Sequence, residues 1–191
     1  MFDFFNTIDM NFMIWIHQNL SNTLFDKLMP FITDKNNWIA PIASLIIILF
    51  FFSGKKGKFV IVILIISLSL TDAICAQILK PFFERLRPSH LNIEHLNLLV
   101  SRGGKWSMPS NHAANMFSLA TILSHFYSKY RRFLFFFAVT ISFSRVYVGV
   151  HFPGDLIVGA FIGYAISSLC LSLWGHLKLR EIRRGKKWVQ F

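Results

Sequence analysis

The chain has 191 residues, of which 54% are apolar and only 15% charged, and it carries 22 Phe. Average usage is about 25% charged, so this surface cannot face water all round, which excludes a soluble single-core protein, a disordered chain and a disulfide scaffold. Twenty Lys and Arg against nine Asp and Glu leave a net charge of +11, which in an integral membrane protein reads first as orientation against anionic lipid and not as nucleic-acid binding.

The first nine residues contain Asp3 and Asp9 and no base, unlike a cleavable signal peptide. Residues 10–37 are apolar but interrupted by His17, Gln18 and Asn19 and then by Ser21, Asn22 and Thr23. Leu24, Phe25, Leu28, Met29 and Ile32 recur at helical spacing opposite Asp26 and Lys27. This pattern predicts two short amphipathic helices lying in the interface, with a sixth crossing as the rival. Five spans follow, over Trp38–Phe52, Phe59–Leu79, Ala113–Tyr127, Phe133–Val148 and Asp155–Leu173. At about 1.5 Å per residue all five can cross a core of roughly 30 Å, the shorter ones by borrowing flanking residues. Cys75 and Cys170 lie inside these runs and imply neither a disulfide nor a metal site. The expected fold is an all-α polytopic bundle forming one domain, residues 1–191, with an interfacial segment over 1–37 and a basic tail over 178–191.

Alternation of the spans puts the basic turns Gly54–Lys58 and Ser128–Arg132 on the same side as the tail Lys178–Lys187, and together they hold twelve of the 20 basic residues. By the positive-inside rule that side is cytoplasmic, and the connection Ser89–Ser107 lies outside. Three polar stretches fall on the outer side: Lys80 to Pro88, Pro109-Ser110-Asn111-His112, and Ser144-Arg145 through His151 to Asp155. Lys80, Arg87 and Arg145 place three cations at one membrane surface, with arginine forks suited to phosphate oxygens. Ser110 can cap a helix whose free N–H groups at Asn111 and His112 face an anion. His112 and His151 offer an acid and a nucleophile. Asp155, four residues after His151 and just inside a helix started by Pro153, can accept the proton on one imidazole nitrogen and leave the other free to attack. Two-metal hydrolysis needs several converging acidic ligands. This face offers only Asp155 and Glu84 or Glu94, so fixed Lys and Arg must neutralise charge in a metal-free, cofactor-free site.

The arrangement Lys80-x6-Arg87-Pro88, Pro109-Ser110-Asn111-His112, Ser144-Arg145-x5-His151-x3-Asp155 resembles that of the type 2 phosphatidic acid phosphatase superfamily, which also includes vanadium-dependent haloperoxidases. The likeness covers residues 80 to 155, and the surrounding helices resemble the small bacterial members. It implies a membrane phosphatase in which His151 becomes phosphorylated, Asp155 orients it and His112 protonates the leaving group. Lys80, Arg87, Ser110, Arg145 and the Asn111 backbone would hold the phosphate. The family usually has Gly where Asn111 stands, and Asn is the next most tolerant residue for a left-handed backbone. The implied partners are a membrane lipid phosphate and the bilayer, with no nucleic acid and no obligatory protein. Undecaprenyl diphosphate is the leading substrate; phosphatidylglycerophosphate, phosphatidic acid and the 1-phosphate of lipid A are rivals. A catalytically silent lipid-binding protein would not need His112, His151 and Asp155 together. A haloperoxidase would not need the spans.

Blander roles suffice elsewhere. Arg85, Arg102 and Lys105 read as lipid anchors, and His17, His90, His95, His125 and His176 as hydrogen-bonded surface groups. The run Phe133–Phe137 reads as lipid-facing packing surface. Asp72, a costly carboxylate within a span, reads first as paired with a basic or Trp donor and second as a substrate contact.

Overall fold

The structure is a computed structural model that describes residues 2–94 and 96–185. His95 and the tail residues Lys186 and Lys187 lie outside the described residues. The chain is built from helices α1 (Phe2–Asn19), α2 (Thr23–Thr33), α3 (Ile39–Ile47), α4 (Gly54–Ala73), α5 (Lys80–Phe83), α6 (Asn111–Phe126), α7 (Arg131–Tyr147) and α8 (Pro153–Arg183). No strand occurs among the described residues, and the fold is an all-helical membrane bundle. α4 runs on through a wide turn, Ile74–Leu79, into α5, giving one helical rod over Gly54–Phe83. By length and apolarity three helical stretches can cross a membrane: Lys35–Phe52, Gly54–Phe83 and Pro153–Arg183. The segments expected at 113–127 and 133–148 are α6 and α7, helices of 16 and 17 residues. α8 continues well beyond Leu173, so Lys178, Arg180 and Arg183 of the expected tail are helical.

Local chemistry sets the helix starts. The Asn22 carboxamide accepts from the Leu24 and Phe25 N–H groups at 3.1 and 3.0 Å and so caps α2. Pro153 occupies the first turn of α8, where its missing N–H costs nothing. α6 packs against α4, α7 and α8 and occupies the middle of the bundle. Its approach to α8 is closer than a side chain allows, because a Cβ on Gly163 would stand 2.0 Å from the Ala114 carbonyl oxygen. Where α4, α6 and α8 meet, the Ser67, Ser118 and Ser167 hydroxyls bond to one another at 2.7 to 3.0 Å. That ring satisfies three buried hydroxyls where lipid offers no partner.

α1 and α2 form where amphipathic helices are expected, and each docks one face on the bundle. Met13, Ile16 and Met29 are buried against Val146, Tyr147, Val148 and Val150, while Phe5, Phe12 and Trp15 remain exposed. His17 is a buried tie and not the expected surface group. Its Nδ1 accepts from the Asn97 N–H at 3.3 Å, which leaves Nε2–H to donate to the Val146 carbonyl at 3.1 Å. Phe133 and Phe136 are exposed as expected, and Phe137 packs edge-on to Trp38 at 4.9 Å.

Candidate active site

The connection between α5 and α6 folds back on itself before it reaches α6. The Arg87 N–H donates to the Lys105 carbonyl at 3.2 Å and the Ser107 N–H to the Arg85 carbonyl at 2.7 Å. This short antiparallel bridge sets residues 85–87 beside 105–107. Lys80 follows the wide turn, where its N–H bonds the Cys75 carbonyl five residues back and swings the side chain relative to a regular helix. Its Nζ and the Arg87 Nε both donate to the Trp106 carbonyl, each at 3.1 Å, so one neutral acceptor gathers two like charges. Gly103, at φ +71°, lies flat against the Arg87 guanidinium, and a Cβ there would sit 2.4 Å from Nη1. Arg145, in the last turn of α7, donates from Nη1 to the Thr33 hydroxyl at 2.6 Å, while its buried Nε has no partner.

His151 and Asp155 are both almost fully buried. The Asp155 Oδ2 accepts from the Phe152 N–H at 2.8 Å, faces His151 Nδ1 at 3.3 Å and accepts from the Ser107 hydroxyl. A carboxylate can only accept, so the imidazole proton sits on Nδ1 and the Nε2 lone pair is free. The Asp155 Oδ1 accepts from Arg85 Nη1 at 2.8 Å. Arg85 also pairs with Asp9 through Nη2 at 2.7 Å and stacks 4.2 Å over the Phe152 ring. The lipid-anchor reading of Arg85 is therefore overturned: two carboxylates and a ring hold it inward. Arg102 is exposed, and Lys105 stacks on Trp106 at 4.6 Å.

Ser110 is buried and caps α6, its hydroxyl facing the Ala113 N–H at 3.5 Å and its own N–H donating to the Asp155 carbonyl at 3.0 Å. The second bond ties the start of α6 to the first turn of α8, and so His112 to His151. The Asn111 side chain turns away to Asp72, donating at 2.8 Å, and Asn115 donates to the same carboxylate oxygen at 3.1 Å. Asp72 thus takes two amides in place of the basic or Trp donor expected for it.

Burial and the nearby charges of Arg145, His151, Arg87 and Lys80 push the His112 imidazole down to about 3. Burial likewise pushes His151 down to about 4, against the pull of Asp155. Burial also lowers Arg87, with Asp155 opposing. Arg145, His151, Arg87 and Lys80 lie near enough to His112 to act on its charge. The donor set there suits an anion: three cations, two imidazoles, and a single carboxylate already occupied by Arg85, Ser107 and His151. Sequence reasoning missed Ser107, Arg85, Asp9 and Thr33. Arg85 sits two residues from Arg87 within the same basic stretch, and the others carry no local pattern at all.

The sequence profile of the PAP2 superfamily matches residues 57–178. A protein of Bacteroides thetaiotaomicron named lipid A 4'-phosphatase is 34% identical over 170 residues, covering 85% of this chain and 75% of its own. A second of that name, from Porphyromonas gingivalis, is 29% identical over 186 residues, with coverage of 90% and 78%. An undecaprenyl-diphosphatase of Sulfolobus acidocaldarius is 31% identical over 151 residues, with coverage of 78% and 69%. Among solved structures, Aquifex aeolicus LpxE superposes with a TM-score of 0.64 at 31% identity, covering 83% of this chain and 92% of that one. The Bacillus subtilis PAP2-type phosphatidylglycerolphosphate phosphatase superposes at 0.66 with 21% identity, covering 91% and 87%.

Proposed function

The chain belongs to the PAP2 superfamily and is a membrane lipid phosphatase, and from that premise we propose that it removes a phosphate from an acylated sugar lipid of the lipid A type through phosphohistidine. The observation that carries the mechanism is the His151–Asp155 contact, which keeps the proton on Nδ1 and leaves the Nε2 lone pair available to attack. Lys80, Arg87, Arg145, the Ser110 hydroxyl and the Asn111 N–H hold the phosphate oxygens. His151 Nε2 attacks phosphorus and the P–O bond to the lipid breaks. His112 gives its proton to the departing oxygen. The dianion's own charge raises His112 so that it carries that proton. Neutral His112 then takes a proton from water, whose oxygen attacks phosphorus as the P–Nε2 bond breaks and its electron pair returns to His151, releasing inorganic phosphate. Fixed cations supply the charge, with no metal or cofactor in the cycle.

The lipid A reading is supported by the names of two relatives that align over most of this chain, and it displaces undecaprenyl diphosphate as the leading substrate. The diphosphate stays as a second reading because of the Sulfolobus relative. A groove of about 780 Å³, lined by Phe5, Ile8, Phe12, Phe83, Ile157 and Val158 together with Arg85, gives a lipid tail room beside the site. The placement of the basic residues supports an orientation in the cytoplasmic membrane with the site facing outside and the C-terminus inside.

Phosphate release by purified protein in detergent micelles, with and without EDTA, tests both readings. Lipid A phosphates should give the highest kcat/KM, above undecaprenyl diphosphate, phosphatidic acid and phosphatidylglycerophosphate, and EDTA should leave the rates intact. A higher kcat/KM on the diphosphate would install the second reading. A rate restored only by a divalent ion would remove the metal-free mechanism.

A further inference from the structure

We propose that the N-terminal helix pair α1–α2 is a positioning clamp for the site, with Asp9 acting on the nucleophile and Thr33 acting on the phosphate-binding arginine. The proposal rests on the phosphatase reading above. Both residues lie outside the region that the family profile matches, residues 57–178.

Asp9 reaches the site through two contacts. Its Oδ2 pairs with Arg85 Nη2 at 2.7 Å, and its Oδ1 accepts the Gly154 N–H at 2.7 Å in the first turn of α8. Gly154 is what permits the approach, since a Cβ there would lie 2.7 Å from Oδ2. A carboxylate at a helix N-terminus is also favoured by the helix dipole. The three side chains are nearly dry, with exposures of 12% for Asp9, 14% for Arg85 and 0% for Asp155.

The charge count gives the consequence. Arg85 alone on Asp155 would cancel the carboxylate that His151 depends on. With Asp9 taking the other arm of the guanidinium, Asp9, Arg85 and Asp155 carry a net charge of −1 beneath the imidazole. That charge opposes the groups on its other side, namely Lys80 from α5, Arg87 from the connection, His112 from α6 and Arg145 from α7. Positive charge builds on the ring as Nε2 attacks phosphorus, and the net negative cluster stabilises it. Thr33 works on the other side of the site. Its hydroxyl accepts from Arg145 Nη1 at 2.6 Å and holds the fork with Nε unpartnered. Its side-chain hydrogen bond is to Arg145, on the phosphate side.

The two arms therefore predict different kinetic losses, which a merely structural helix pair would not. Steady-state rates from about pH 2.5 to 9, a window that brackets the His151 value of about 4, would be measured on the full chain in micelles, with a lipid A phosphate and a short-chain phosphatidic acid as probes. Asp9→Asn keeps the acceptor for Gly154 and removes the charge together with the acceptor for Arg85. It should lower kcat about tenfold to a hundredfold, leave KM within about twofold and move the acid limb of kcat/KM to lower pH. Asp9→Glu, which restores the charge, should return the limb. Thr33→Val should raise KM and the inhibition constant of inorganic phosphate about threefold to tenfold, with kcat nearly unchanged. Met13→Ala loosens the docked face without touching a charge and should not move the limb. The proposal is overturned if both variants change kcat and KM together with the limb unmoved, if Met13→Ala reproduces the Asp9→Asn profile, or if neither variant differs from wild type. Wild-type protein inactive on both probes would instead overturn the phosphatase reading, and this proposal with it.

Discussion

On one side of the candidate site, each Asp155 oxygen has a partner among Phe152, Ser107, His151 and Arg85, and Arg85 has a second carboxylate in Asp9. On the other side, Lys80 and Arg87 share one neutral carbonyl, and Arg145 keeps a buried Nε with nothing to bond. The nucleophile's side is satisfied by groups of the protein itself. The cation side is three like charges brought together in a partly dry place, an arrangement that gains its compensation only when an anion arrives. The orientation of the nucleophile is thus set during folding, while the binding energy is withheld for substrate.

Removing one element from each side sharpens that contrast. His151→Ala should abolish turnover, by about 10⁴-fold or more, while inorganic phosphate still binds. Rapid quench with labelled lipid should trap an acid-labile phosphoryl adduct in wild type and none in this variant. Turnover near wild type in folded His151→Ala protein would end the phosphohistidine mechanism. Arg145→Ala should cost less, roughly 10- to 100-fold, and mainly in KM and the phosphate inhibition constant. Equal losses in kcat would mean that the two sides are not separable.

Ligand and pH act on the two sides in different ways. Inorganic phosphate at about a hundred times its dissociation constant should stabilise the fold by about 2.7 kcal/mol, read as a rise in thermal midpoint. That gain should shrink in Arg145→Ala and persist in His151→Ala. For pH, the folded His151 value of about 4 lies below its ordinary 6.5 because burial disfavours the charged ring. Between those values the unfolded chain binds a proton that the folded chain does not. The stability contribution is therefore present above pH 6.5 and is lost as pH falls toward 4. His112, pushed down to about 3, and His17, also lowered by burial, act in the same direction. Thermal midpoints in micelles should fall from pH 7.5 to pH 5, and a midpoint flat across that range would show the imidazoles to be solvated.

Long apolar runs and turn chemistry were enough to read an all-helical membrane bundle from the sequence alone, and three motifs of fixed spacing were enough to nominate the residues of the candidate site. Those signals are local: a helix start needs Ser110 or Pro153, and the relation of His151 to Asp155 is one helical turn. What the sequence left undetermined depends on contacts between distant segments. Arg85 looked like any interfacial base until the fold set Asp155 and Asp9 on its two arms, 70 and 76 residues away in sequence. Asp72 was expected to meet a base or Trp, and two amides from α6 bond it instead. Asp9 and Thr33 gave no warning, because a carboxylate or hydroxyl in an amphipathic helix has no function until a face is chosen for it. That choice was made by the burial of Met13, Ile16 and Met29 against α7 and the turn after it, which turned the opposite face to the surroundings. Periodicity and spacing are carried by neighbouring residues, so the sequence alone determined the helices and the motif residues. Which charges neutralise one another depends on which surfaces pack, and only the tertiary structure decided that.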